Sequence, residues 1–134
     1  MIKLTRRLPQ NWANAVPARQ IITSATSIGA NIAEGHGRFT PGAHGNHLSI
    51  AKRSAAETDS WLDTLRREGH LTSEEEAPLH KECMEIMAIL TSKILQLERI
   101  EKEGASKVRE GLATYEVLES LDEPPFPFAQ EDYL

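Results

Sequence analysis

A chain of 134 residues, 40% hydrophobic and 26% charged, has room for one domain, and with only 5% aromatic residues its core must be Leu, Ile, Val, Ala and Met. No apolar run approaches the ~20 residues that cross a bilayer, no apolar stretch follows the basic N-terminal residues, and Cys83 has no second cysteine to pair with; no membrane span, secretory leader or internal disulfide is expected, and a cytoplasmic location is the default expectation. The net charge of -5 is uneven: residues 1–115 hold all 15 bases against 14 acids, and six acids follow Tyr115, so charge neither supports nor excludes a nucleic-acid partner.

The first periodic segment places small or apolar residues at Ile21/Ile22, Ala25, Ile28/Gly29, Ile32 and Ala33, the three-and-four spacing of a helix. Gly35 falls where a C-terminal cap would sit, and Pro17 is expected in the first turn or at a kink, since deeper in a helix it costs ~3 kcal/mol. A Gly/Pro-rich break at residues 35–42 precedes a second helical segment, about residues 41–68, carried by Leu48, Ala51, Ala55, Thr58, Leu62 and Leu65. Gly42 and Gly45 predict a frayed start there.

After a second break at Gly69–Ser73, Ser73 reads as a cap, with Glu74, Glu75 and Glu76 in the first turn where the helix dipole favours negative charge. The apolar face then runs through Leu79, Cys83, Ile86/Met87, Leu90, Ile94, Leu97 and Ile100. A weaker stripe follows at Val108, Leu112, Tyr115, Leu118 and Leu121, interrupted by Gly104 and Gly111; it predicts a short fourth helix or a frayed continuation of the third. Three prolines among residues 123–128 bar a helix at the end. Nothing alternates with period two. The expected organisation is a helical bundle over residues 1–104, then a short helix and an acidic, Pro-rich tail over 105–134. The mixed acidic and apolar residues from Leu118 onward read as a disordered tail in preference to a docking motif.

The run Ser27-Ile28-Gly29-Ala30-Asn31-Ile32-Ala33-Glu34-Gly35-His36-Gly37-Arg38, followed by Leu48-Ser49-Ile50-Ala51, Ser54 and Glu57, resembles a bacterial four-helix-bundle family first noticed in intervening sequences of large-subunit ribosomal RNA genes. The first block matches almost fully and the second in part; the resemblance spans about residues 4–100 and marks family more sharply than activity. It implies an all-α, up-down antiparallel bundle of three to four helices that forms rings, typically pentamers. It also implies kinship in fold with the accessory variability determinant of diversity-generating retroelements, which binds a reverse transcriptase and nucleic acid. No catalytic residues carry over. The family's first helix is reduced here to a stub before Arg6-Arg7-Leu8-Pro9, so that either the start lies late or Val108–Leu121 takes the vacant place. His47 stands where an aromatic residue is usual, and His44 and Gly45 where bulky ones are. Ile22 and Thr23 replace basic residues and Arg53 replaces a glycine, and the loss of bases weakens the nucleic-acid inference.

Asn31 and Glu34 share a helix face and Arg38 lies just past its end. They form either a polar recognition site or, the preferred reading, a structural network reaching the second helix through Glu57, since satisfied polar networks fix bundle register. Glu34 with Glu57 as an acid–base couple lacks a nucleophile or oxyanion donor. His36, His44 and His47 cluster near the glycine-rich loop but complete no recognised metal spacing, and solvated histidines are expected. His80 and Cys83 are three apart; Cys83 falls on the apolar stripe and reads as a small buried hydrophobe. Gly35-x-Gly37 ends a helix, so its dipole is wrong for a phosphate. Arg6, Arg7, Arg19, Arg38, Lys52, Arg53, Arg66 and Arg67 are the bases placed to form a surface patch, with Arg38, Lys52 and Arg53 first for phosphate or partner contact. The expected function is a non-enzymatic, oligomeric scaffold or accessory protein without cofactor or metal, its partners being itself and then a reverse transcriptase or RNA or DNA. The alternatives are an interaction module using its acidic tail and, last, an all-α metal-dependent phosphohydrolase.

Overall fold

The computed structural model describes residues 1–121, and among them every regular element is helical: α1 Ile2–Thr5, α2 Trp12–His36, α3 Pro41–Arg67 and α4 Ser73–Leu121. Of the tail expected from Leu118 onward, residues 118–121 belong to the end of α4, and residues 122–134 lie outside the described residues. The chain divides into two units, Met1–Ile100 and Glu101–Leu134. In the first, α2, α3 and α4 run up, down and up with the α1 stub against them.

Helix boundaries follow from side-chain caps. Asn11 accepts the backbone N–H of Asn14 at 2.9 Å and starts α2 earlier than the apolar spacing implies. Pro17 therefore lies inside the helix, past the first turn, where the missing N–H leaves only the carbonyl of exposed Ala13 without its intrahelical partner. Thr40 caps α3 by accepting the N–H of Ala43 at 3.2 Å, and Pro41 occupies the first helical position with its φ preset. The start is thus sharp despite Gly42 and Gly45, correcting the frayed start expected there.

The α3–α4 connection is closed from both sides. Gly69 takes φ +76°, the left-handed conformation that suits glycine, while the N–H of His70 bonds the carbonyl of Leu65 at 2.8 Å and that of Gly69 the carbonyl of Arg66 at 3.0 Å. Thr72, not Ser73, then caps α4: its hydroxyl accepts the N–H of Glu75 at 3.2 Å, and the Glu75 carboxylate accepts the N–H of Thr72 at 3.0 Å. The helix continues for 49 residues through Gly104 and Gly111, so the stretch expected as a separate or frayed helix belongs to α4. Each glycine costs ~1 kcal/mol, but the residues around them are mostly strong helix formers.

The core has two apolar clusters. One joins Leu4, Leu8, Ile21, Leu62, Leu65, Leu71 and Cys83; the other joins Leu48, Ala51, Leu90 and Leu97, with Ile32, Ile86 and Ile94 against it. Between them in sequence, on both α2 and α3, lie hydroxyl residues: Ser24 and Ser27 on one helix, Ser54 and Thr58 on the other. Gly29 and Ala33, expected on the buried face of α2, point outward. The helix is instead turned so that Ser24, Ser27 and Asn31 meet α3.

Candidate functional site

A chain of hydrogen bonds runs along the α2–α3 seam. Thr58 bonds Ser24, hydroxyl to hydroxyl, at 2.9 Å, and Thr58 and Ser24 are 1% and 3% exposed. One turn on, the Ser54 hydroxyl donates to Ser27 at 3.0 Å. Asn31 donates its amide to the Ser27 hydroxyl at 3.1 Å and carbonyl at 2.9 Å. Its other end, Oδ1, lies 3.3 Å from Nδ1 of His47. The Arg38 guanidinium donates to Nε2 of His47 at 3.2 Å and pairs with the Glu34 carboxylate. With Arg38 donating to Nε2, that nitrogen is the acceptor, so Nδ1 carries the proton and donates to Asn31. Among the described residues no buried side-chain N or O lacks a partner.

Gly35 makes this junction possible. It is buried inside α2, not a terminal cap, which falls at Gly37. A Cβ on Gly35 would stand 2.9 Å from Cδ2 of His44 and 3.2 Å from Cβ of His47. The missing side chain lets the first turns of α3 close onto the last turn of α2. His36 and His44 rings also meet there, with centroids 5.5 Å apart. The pKa of His44 is lowered, first by burial, then by His36, Lys93 and His47.

Of the residues singled out from sequence, the structure joins Asn31, Glu34 and Arg38, but through His47. Glu57 is exposed and takes no part. Spacing gives Thr58 as a core position of α3 and Ser27 and Ser54 as motif residues but not their pairing, although Ser24, Ser27 and Asn31 stand three and four apart, a polar helical stripe beside the apolar one. Among the candidate bases, Arg7 pairs with Glu75 at 2.7 Å, Arg66 with Asp63 and Glu76 at 2.6 Å each, and Arg67 with Asp63 at 2.8 Å. Among the described residues, Arg6, Arg19, Lys52 and Arg53 form no ion pair.

The remaining polar groups are similarly engaged. His80 lies 2.6 Å from Asp59. Cys83 is 4% exposed, and burial, with Asp59 and Glu82, pushes its thiol up to about 11, so it is neutral at ordinary pH and a poor nucleophile. A cavity of about 290 Å³ beside α1 is bordered by Asn11 and Asn14, whose side chains are spent on the α2 cap and on the Pro9 carbonyl. Among the described residues no group of three His, Cys, Asp or Glu is placed to hold a metal, and no helix is long and apolar enough to cross a membrane.

A family model described as 23S rRNA-intervening sequence protein matches residues 1–92. The chain belongs to this family. The match includes the whole Ser24–Thr58 seam and ends before the last turns of α4's bundle portion. The chain is also similar to a solved structure, a protein of unknown function from the S23 ribosomal protein family of Bacteroides thetaiotaomicron: 34% identity over 69% of this chain and 86% of that one, with a TM-score of 0.65. No functionally curated protein matches. The match to the 23S rRNA-intervening sequence family thus spans α1, α2, α3 and the part of α4 up to residue 92.

Proposed function

We propose that this protein is a non-enzymatic, self-assembling helical scaffold whose task is to hold partners, first copies of itself. One observation carries the reading: α4 is apolar on more than its core side. Besides the stripe through Leu79, Cys83, Ile86, Leu90 and Leu97, it exposes Ile89 (69%) and Ile100 (47%) on one flank and Met84 (50%) and Leu95 (49%) on another. Each pair is three helical turns apart and so shares a face. Large apolar side chains exposed on two flanks beyond the core face are the kind of surface that a partner chain covers. The polar seam between α2 and α3 is consumed in its own bonds, which favours a structural role for Asn31, Glu34 and Arg38 over recognition. A ring, a pentamer in the pattern the resemblance implies, is the form of assembly proposed.

Sedimentation velocity tests this: the expected result is a species several times 14.9 kDa that Ile89→Lys and Leu95→Lys dissociate while helicity persists. A single chain throughout the micromolar range overturns the reading. A nucleic-acid contact, direct or beside a reverse transcriptase, is the second reading, favoured by Lys52 and Arg53, adjacent on α3 and in no ion pair among the described residues. It expects salt-dependent retention on RNA that Lys52→Ala/Arg53→Ala abolishes and Arg7→Ala does not.

A further inference from the structure

The end of α2 and the start of α3 bring two imidazoles together. His36 is the last residue of α2 and His44 the fourth of α3, and their ring centres stand 5.5 Å apart with the planes tilted by 42°. Among the described residues neither ring makes a hydrogen bond or an ion pair, whereas His47 spends both nitrogens on Asn31 and Arg38 and His80 meets Asp59. We infer that His36 and His44 are a two-imidazole site for a borderline divalent ion, Zn²⁺ or Ni²⁺, which fastens the two helix ends within one chain. Water fills the ion's remaining positions, so the site asks for no third protein group.

Distance, orientation and ligand type select this occupant. An imidazole nitrogen binds Zn²⁺ at ~2.0–2.1 Å and lies ~1.1 Å from its ring centre, so two rings 5.5 Å apart subtend about 120° at a shared ion, near the tetrahedral angle. His44 turns its Cδ2 edge to Gly35, so Nε2, bonded to Cδ2, lies on the α2 side of the ring, beside the residue that precedes His36. His36 is exposed, and rotation about its two side-chain bonds aims a nitrogen at the same point. Imidazole suits Zn²⁺ and Ni²⁺, and the Glu34 carboxylate at this junction is held by Arg38, so Mg²⁺ and Ca²⁺, which take oxygen ligands, are not favoured. Lys93 on α4 is the cation whose charge reaches His44, and it opposes a second cation there.

The full-length protein, free of any affinity tag, is unfolded thermally at about pH 7.5, where imidazole is neutral, with added Zn²⁺, Ni²⁺ or Mg²⁺ chloride. An ion at about ten times its dissociation constant favours the folded state about tenfold, which raises the unfolding midpoint by about 5–10 °C. The expected result is such a rise with Zn²⁺ and Ni²⁺ and none with Mg²⁺, its loss in His36→Gln and in His44→Gln, and its retention in His70→Gln. Calorimetric titration with Ni²⁺ is expected to give one ion per chain, bound about two- to fivefold more tightly by Lys93→Gln, since that change removes the opposing charge. His36 is exposed, so His36→Gln leaves the fold intact and keeps the test decisive even if His44→Gln loosens the α2–α3 junction. No rise with either ion, or one that His36→Gln leaves in place, overturns the inference. Both ligands come from one copy, so the self-assembly proposed above stands or falls separately.

Discussion

Replacing Gly35 with alanine is the most informative single change at the α2–α3 polar junction. In an open helix, glycine to alanine gains about 1 kcal/mol from propensity. Gly29 and Gly45 are such places, since a Cβ there meets nothing within 4 Å. At Gly35 the same methyl meets His44 Cδ2 at 2.9 Å and, less yieldingly, His47 Cβ at 3.2 Å. Overpacking of this kind costs about 1–3 kcal/mol. The His44 ring can turn aside, but the His47 Cβ moves only with the α3 backbone, carrying its bonds to Asn31 and Arg38 with it. Gly29→Ala and Gly45→Ala are therefore expected to raise unfolding free energy by about 0.5–1 kcal/mol, and Gly35→Ala to fall about 1–3 kcal/mol below them. For a unit the size of Met1–Ile100 that gap corresponds to about 4–8 °C in Tm per kcal/mol. Urea denaturation of the three variants at one protein concentration measures it. Gly35→Ala gaining as much as Gly29→Ala would refute the close-approach argument.

Thr58→Val keeps shape but removes a hydroxyl bonded at 2.9 Å to Ser24, and is expected to cost about 1 kcal/mol; adding Ser24→Ala should recover most of it, so a double-mutant cycle with no coupling rejects the seam. Thr72→Ala removes the α4 cap and is expected to cost about 0.5–2 kcal/mol, whereas Ser73→Ala costs a few tenths, an order that thermal unfolding checks directly. Stability should decline with acid in two windows. The His44 pKa is lowered from 6.5, so below pH 6.5 the unfolded chain takes the proton first and stability drops until His44 also titrates in the fold. Glu75 is held below its ordinary 4.5, first by the Thr72 N–H and then by Arg7, and Asp63 below 3.8, first by Arg66; their contribution is whole above those values and is lost as pH falls through the lowered ones. Denaturant titrations across pH, with His44→Gln removing the upper window and Glu75→Gln softening the lower, test both assignments.

The helices were legible because apolar spacing and helix geometry share one period. Their ends were less so, for reasons local to each. Asn11 and Thr72 are strong caps that stand one position or more outside the apolar stripe, so spacing alone starts α2 too late and assigns the α4 cap to Ser73. Pro17 lies past the first turn because the Asn11 cap starts α2 early, and Ala13, whose carbonyl loses its donor, is exposed. Around the candidate site, residue types were readable but partners were not. Asn31, Glu34 and Arg38 lie within one helix end, where spacing decides who is near. His47 belongs to the next helix, and its place opposite Asn31 depends on how closely Gly35 lets the two approach. The expectation that Glu57 would close the network failed on helix phase: one residue before Thr58, it points to the outside.

The hydroxyl layer that splits the core also governs what can be built from this body. Apolar surfaces slide over one another at little penalty, and a bundle held by Leu and Ala alone tolerates several alignments of its rods. Here a slip of α2 by a single turn would re-form one hydroxyl pair and strand either Ser24 or Thr58 against hydrocarbon, so the native alignment is favoured. Closed assemblies amplify small errors in the tilt of their building block, and a few degrees per copy separate a circle that closes from a spiral that does not. Two hydroxyl pairs, contributing little to how tightly the rods hold, thereby set the angle that every larger structure made from them inherits.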